Sequence, residues 1–165
     1  MFKKLFGKKE LKKEETLFAP LNGKVVDIEQ VPDPTFSQKL MGEGIAIEPA
    51  DGTVVSPVNG EIIQFFHTKH AIGIRSETGL EILIHVGLET VMLNGEGFTG
   101  HVQVGDKVKV GDRLITFDLE FIKENAASSI TPIVITNMDI VQSIEKNSVT
   151  HAKAGIDSLM DITTK

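Results

Sequence analysis

At 165 residues, with 41% apolar residues and 15 glycines, the chain suits one globular core, and no run approaches the ~20 consecutive apolar residues of a membrane-spanning helix. It carries no cysteine and no early apolar run of signal-peptide length, which excludes a disulfide scaffold and points to a cytoplasmic protein. The net charge of −6 divides into +3 over residues 1–15, from six lysines and three acids, and −9 over the remainder; an acidic body without Trp or Tyr is a poor surface for nucleic acid.

Residues 1–16 form a basic, flexible segment set apart from a domain spanning 17–165. Met1, Phe2, Leu5 and Phe6 recur at helical spacing among lysines, the pattern of a short interfacial helix that could touch the inner face of a membrane. A solvated tail is the competing reading, because so short a helix is marginal alone. From Leu17 onward the pattern changes to short β-branched runs broken by Gly, Asn, Pro and Asp, among them KVVDI, GIAIEP, TVVSP, EIIQFF, AIGIRS, LEILIHVG and PIVITN. Such runs predict an all-β sandwich or barrel. Only Glu120 to Ala127 and Met138 to Ile144 read as helical turns. The segments from Ala19 to Ile28 and from Ser56 to Phe65 match at an offset of 37 residues, each a Pro-x-Asn-Gly turn feeding a strand. Two copies of one unit predict internal duplication, since a single copy would leave an apolar face uncovered.

The stretch from Thr68 to Gly87 predicts two strands joined by a turn at Ser76-Glu-Thr-Gly79. With a loop of even length, Ser76 aligns with Gly79 and His70 faces His85, with Cβ atoms ~4.5–5.5 Å apart. A three-residue loop bulged at Gly79 would slip this register by one. His85 ends the apolar strand Ile82-Leu-Ile, at the mouth of a core. Two titratable rings brought together are electrically unfavourable when both are charged, so the pair points to function rather than packing. One neutral imidazole could attack a phosphoryl group while its neighbour, oriented by the Thr68 hydroxyl, steadies the oxygens. The same two rings could supply half of a tetrahedral zinc set, with only Glu81 and Glu89 as local carboxylates. His67 is expected to point away, and His101 and His151 to lie at the surface. Phe36 and Met41, in the segment before Gly42, together with Phe66 and Leu83, could form an apolar docking face.

Several motifs in order, APLNGKVVDIEQVPDPTF from Ala19, GEGIAIEP from Gly42, LIHVGLETVMLNGEGF from Leu83, VKVGDRLITFDL from Val108 and SSITPIVITNM from Ser128, closely resemble the glucose-type enzyme IIA family of the sugar phosphotransferase system. The resemblance implies a β-sandwich of the duplicated-hybrid type. It implies a phosphotransferase component that takes phosphate from the histidine phosphocarrier protein HPr and passes it to the IIB domain of a glucose-type permease. By the same resemblance His85 is phosphorylated on Nε2, and His70 stabilises the phosphoryl group and is needed for its donation. Thr68 then holds His70, and the Gly87 carbonyl holds His85. Glu89 stands where better-known members have aspartate, so a partner contact there must be reached by a longer side chain. No cofactor is required, although some members bind zinc at the two histidines with a partner's carboxylate. Length leaves no room for fused IIB or IIC domains, and a carrier presenting one histidine to two partners is expected to be monomeric. A zinc peptidase of the lysostaphin type would need an HxH pair, and a biotinyl or lipoyl carrier a Met-Lys hairpin; neither is present in the sequence.

Overall fold

The computed structural model describes residues 13–165; the interfacial-helix reading of Met1, Phe2, Leu5 and Phe6 lies outside the described residues. In chain order the strands of the first half are β1 (Glu14–Phe18), β2 (Gly23–Asp27), β3 (Glu43–Pro49), β4 (Thr53–Val55), β5 (Gly60–Phe65), β6 (Ala71–Ser76) and β7 (Glu81–His85). Those of the second half are β8 (Phe98–Gly100), β9 (Lys107–Val108), β10 (Arg113–Phe117), β11 (Thr131–Ile135), β12 (Val141–Lys146), β13 (His151–Ala152) and β14 (Ser158–Thr164). An eight-stranded antiparallel sheet runs β13-β2-β3-β11-β7-β6-β5-β9, and two three-stranded sheets, β1-β14-β12 and β4-β10-β8, complete the all-β sandwich.

Alternation along the central strands sorts side chains onto two faces. Ile72, Ile74, Ile82 and Ile84 enter the larger apolar cluster with Ile45, Ile47, Ile133 and Ile135. Ala71, Leu83, Ala46 and Val134 point the other way, into a smaller cluster with Ile28, Val31 and Phe36. At roughly 1.5–3 kcal/mol for each buried Ile or Leu side chain, these two clusters supply the main drive for folding. The strand His85 terminates therefore has core on both faces.

The predicted duplication is visible in the hydrogen bonding. Phe18 N–H donates to the Pro57 carbonyl (2.9 Å) and Val55 N–H to the Pro20 carbonyl (2.8 Å), a reciprocal exchange in which the two donors, like the two acceptors, stand at the 37-residue offset of the repeat. A second, weaker repeat accompanies it. The Asn22 amide oxygen accepts from Ala154 N–H and that of Asn59 from Val110 N–H, while β13 pairs with β2 as β9 pairs with β5. Residues 106–112 and 150–157 are thus structural equivalents, a relation hidden by a one-residue insertion and by the shared presence of little beyond Gly and Asp.

Three local expectations are corrected. The β6–β7 register pairs Ala71, not His70, with His85, and Arg75 with Glu81. The cause is a three-residue loop: Gly79 adopts φ +95°, Ser76 N–H donates to the Leu80 carbonyl, and Leu80 N–H donates to Ser76 Oγ, which closes the bulged turn. Of Met138 to Ile144, only Met138–Ile140 forms a helical turn, of 3-10 type; Val141 onward is β12, captured by pairing with β14. The helix expected at Glu120 to Ala127 runs Leu119–Asn125 (α2), capped by the Asp118 carboxylate on Phe121 N–H. A further one-turn helix, α1 (Pro34–Ser37), starts on the Asp33 side chain, which accepts from Thr35 N–H, and has proline in its first turn.

Candidate functional site

The end of β7 and the turn before β6 meet at two imidazole rings. His70 and His85 stand edge to face, centroids 4.9 Å apart and planes at 82°. They meet despite the slipped register because Lys69, at φ +62°, turns the chain just before β6 begins, so His70 does not follow the strand alternation. Phe36 of α1 lies against His85 (5.2 Å) and Phe66 against His70 (5.4 Å), so each ring has an aromatic neighbour.

Each ring is fixed through its Nδ1. His85 Nδ1 lies 2.8 Å from the Gly87 carbonyl, which can only accept; the proton is therefore on Nδ1 and the lone pair on Nε2. His70 Nδ1 lies 2.6 Å from Thr68 Oγ1. Thr68 and His70 are both buried, and among the described residues the Thr68 hydroxyl has no other acceptor. We therefore assign Thr68 O–H as donor to His70 Nδ1, leaving the His70 proton on Nε2. The two rings have opposite tautomers: one offers a lone pair, the other an N–H.

Burial pushes His70 from the usual 6.5 down to about 4, with the nearby His85 and His67 adding to the effect. His85 is likewise held below its usual value by burial, opposed by the bond to the Gly87 carbonyl and by the Asp33 carboxylate. Near neutrality both rings are uncharged, which keeps the Nε2 lone pair of His85 available.

Gly87 is a backbone requirement. Its φ is +73°, and a Cβ there would meet Thr90 Cγ2 at 2.7 Å and the Ser128 carbonyl oxygen at 2.8 Å. Thr90 is itself anchored, its hydroxyl donating to the Val86 carbonyl at 2.6 Å. On the opposite flank, Lys39 pairs with Glu29 and Glu43, and Lys146 with Glu43, fastening the segment that carries Phe36 to β3 and β12.

The expected docking residues divide by exposure. Phe36 and Leu83 are buried in the smaller cluster beneath His85, so they support the ring rather than offer open surface. Met41 and Phe66 are exposed, as is Leu40 of the same segment as Met41; Val91 and Met92, which the sequence reading did not single out, are exposed too. Five of the seven exposed large apolar residues among those described thus lie in the loops flanking the histidines; Val104 and Ile156 lie elsewhere. Glu89 is exposed, at φ +59°. His101 and His151 are exposed as expected; His67 is exposed too, with its charge still reaching His70. Asp33, whose charge bears on His85, was also missed; its placement comes from capping α1 and leaves no spacing signal.

The family model for the phosphoenolpyruvate-dependent sugar phosphotransferase system, EIIA 1, matches residues 15–141. The chain belongs to that EIIA family. It is 58% identical over 169 residues to the glucose-specific EIIA component of Halalkalibacterium halodurans, covering 98% of each chain. It is also 58% identical over 165 residues to the namesake component of Bacillus cereus, covering 100% of both. Among solved structures, the glucose permease IIA of Mycoplasma capricolum superposes with a TM-score of 0.84 at 33% identity, covering 91% of this chain and 96% of that one. As an EIIA protein the chain is a component of a phosphotransferase system. No helix among the described residues is long and apolar enough to cross a membrane. Among the described residues no group of three or more His, Cys, Asp or Glu is placed to hold a metal ion. His70 and His85 alone would offer at most two of the four ligands of a tetrahedral zinc set.

Proposed function

We propose that this EIIA component carries a phosphoryl group on His85 Nε2, received from the phosphorylated histidine phosphocarrier protein HPr and passed to the IIB domain of a glucose-type permease. The observation that carries the reading is that each ring is anchored through its Nδ1, His85 to the Gly87 carbonyl and His70 to Thr68 Oγ1, which supports opposite tautomers. His85 Nε2 presents its lone pair to phosphorus as the donor's P–N bond breaks, and the ring keeps its Nδ1 proton on the Gly87 carbonyl. His70 Nε2–H donates to a phosphoryl oxygen, its direction set by Thr68. The imidazolium character that develops on phosphorylated His85 strengthens its Nδ1–H bond to Gly87.

The exposed residues Leu40, Met41, Phe66, Val91 and Met92 form the apolar rim that seats the partners, and Glu89 and Asp33 add negative charge for a basic partner. The glucose assignment is supported by the names of the bacillar relatives. The site of action is the cytoplasm, with the lysine-rich head ahead of β1 contacting the inner membrane face beside the permease. Zinc, if bound, takes its remaining ligands from a partner.

The test is incubation with phosphoenolpyruvate, enzyme I and the phosphocarrier protein, followed by intact mass of wild type, His85→Ala and His70→Ala. The expected result is an acid-labile phosphoryl gain in wild type and His70→Ala, none in His85→Ala, and onward transfer lost in His70→Ala. No gain in any of the three would refute the carrier reading.

A further inference from the structure

We propose that Met41 and Met92 are oxidation sites through which a hydroperoxide slows phosphoryl transfer; the functional half of this inference rests on the carrier reading above. The chain has no cysteine, so its thioethers are the sulfur groups open to two-electron oxidation. The four methionines among the described residues divide into two pairs. Met160 is fully buried and Met138 is packed against the larger core, whereas Met41 is 38% and Met92 74% exposed.

The exposed pair occupies the two segments that hold His85 from either side. Met41 follows the turn bearing Phe36, whose ring lies against His85, in the stretch fastened by Lys39. Met92 lies in the 3-10 turn Thr90–Leu93, which Thr90 anchors to the Val86 carbonyl beside Gly87. Their exposed neighbours, Leu40, Phe66 and Val91, do not oxidise under these conditions, so the methionines are the chemically labile part of the rim.

The step balances without an added reductant. A thioether lone pair attacks one peroxide oxygen, the S–O bond forms as O–O breaks, and the displaced hydroxide takes the remaining proton and leaves as water. Sulfur loses two electrons and the peroxide gains them. The product exchanges a soft, adaptable apolar contact for a polar, chiral sulfoxide. Seating it against an apolar partner surface leaves the S=O without a donor. Neither histidine nor its Nδ1 partner is altered, so the effect falls on docking: KM for the phosphocarrier protein rises while transfer at saturation holds.

The experiment treats the full chain with hydrogen peroxide and maps sulfoxides by peptide mass. Transfer from the phosphorylated phosphocarrier protein is then measured against its concentration, before and after repair by methionine sulfoxide reductases. Expected are sulfoxides at Met41 and Met92 ahead of Met138 and Met160, a KM raised about fivefold to tenfold, and recovery on repair. In the Met41→Leu/Met92→Leu protein the ratio of treated to untreated KM should stay near unity, whatever its own starting value. Oxidation appearing first at Met138 or Met160, unchanged kinetics with both rim sulfoxides present, or an equal treated-to-untreated ratio in the double variant would overturn the proposal. An untreated protein that accepts no phosphoryl group would instead refute the carrier reading, and the order of oxidation would still decide whether these are the reactive sulfurs.

Discussion

Acidification should weaken this protein through His70 in particular, by an amount that can be worked out. The unfolded ring titrates near 6.5, the folded one at about 4. A folded-state value below the unfolded one means that the unfolded chain binds the proton first. The stability associated with neutral His70 is therefore intact above the unfolded value and drains away as pH falls, levelling off once the folded ring also protonates. The full window is worth about 3 kcal/mol, most of it already lost by about pH 4.5, a large share of the roughly 5–15 kcal/mol typical of a domain. Urea unfolding of wild type and His70→Gln at about pH 7.5 and about pH 4.5 isolates this contribution, because the carboxylates titrate alike in both. The wild type should lose about 2–3 kcal/mol more than the variant across that interval. Equal losses would mean that His70 titrates normally in the folded state, which would refute the depression of its titration by burial.

Other perturbations have equally definite outcomes. Gly87→Ala forces a Cβ into Thr90 and the Ser128 carbonyl and should cost about 2–4 kcal/mol in urea unfolding while slowing phosphorylation of His85. Thr68→Val leaves His70 Nδ1 buried without a partner, a loss of about 1–3 kcal/mol; Thr68→Ser should restore both stability and onward phosphoryl transfer if the hydroxyl is what matters. Asp118→Ala removes the cap of α2 and should lower stability by about 1 kcal/mol without changing the His85 titration followed by NMR. Zinc added to the isolated chain should bind far more weakly than the about 10–16 kcal/mol of complete structural sites, as read by chelator competition.

Class of fold, duplication and the two key rings were legible because each leaves a local trace. Period-two runs mark strands, the Pro-x-Asn-Gly turn recurs at a fixed offset, and a histidine ending an apolar strand is conspicuous. What escaped depends on tertiary closure. The register slip hinges on Gly79 at φ +95°, which a Ser-Glu-Thr-Gly sequence permits but does not demand. The contact between the histidines then arises from the turn at Lys69 rather than from the facing positions that pointed to it. Val141 to Ile144 carries a helix-compatible pattern, yet pairing with β14 decides its state. Val91 and Met92 carried no signal of exposure in the sequence; they lie in a short turn bounded by left-handed residues, Glu89 and Asn94.

β14 occupies the centre of the sheet whose edges are β1 and β12. The first and last of the described strands are therefore hydrogen-bonded neighbours, with Glu14 opposite Thr163. During synthesis β1 leaves the ribosome well before β14, its pairing strand, is made. Until then its amide groups face water or a chaperone, and β12 has no ladder to join. Completion of this sheet is consequently a vectorial checkpoint: translation that stops short of Ser158 would leave both edge strands unpaired and open to association with other nascent chains.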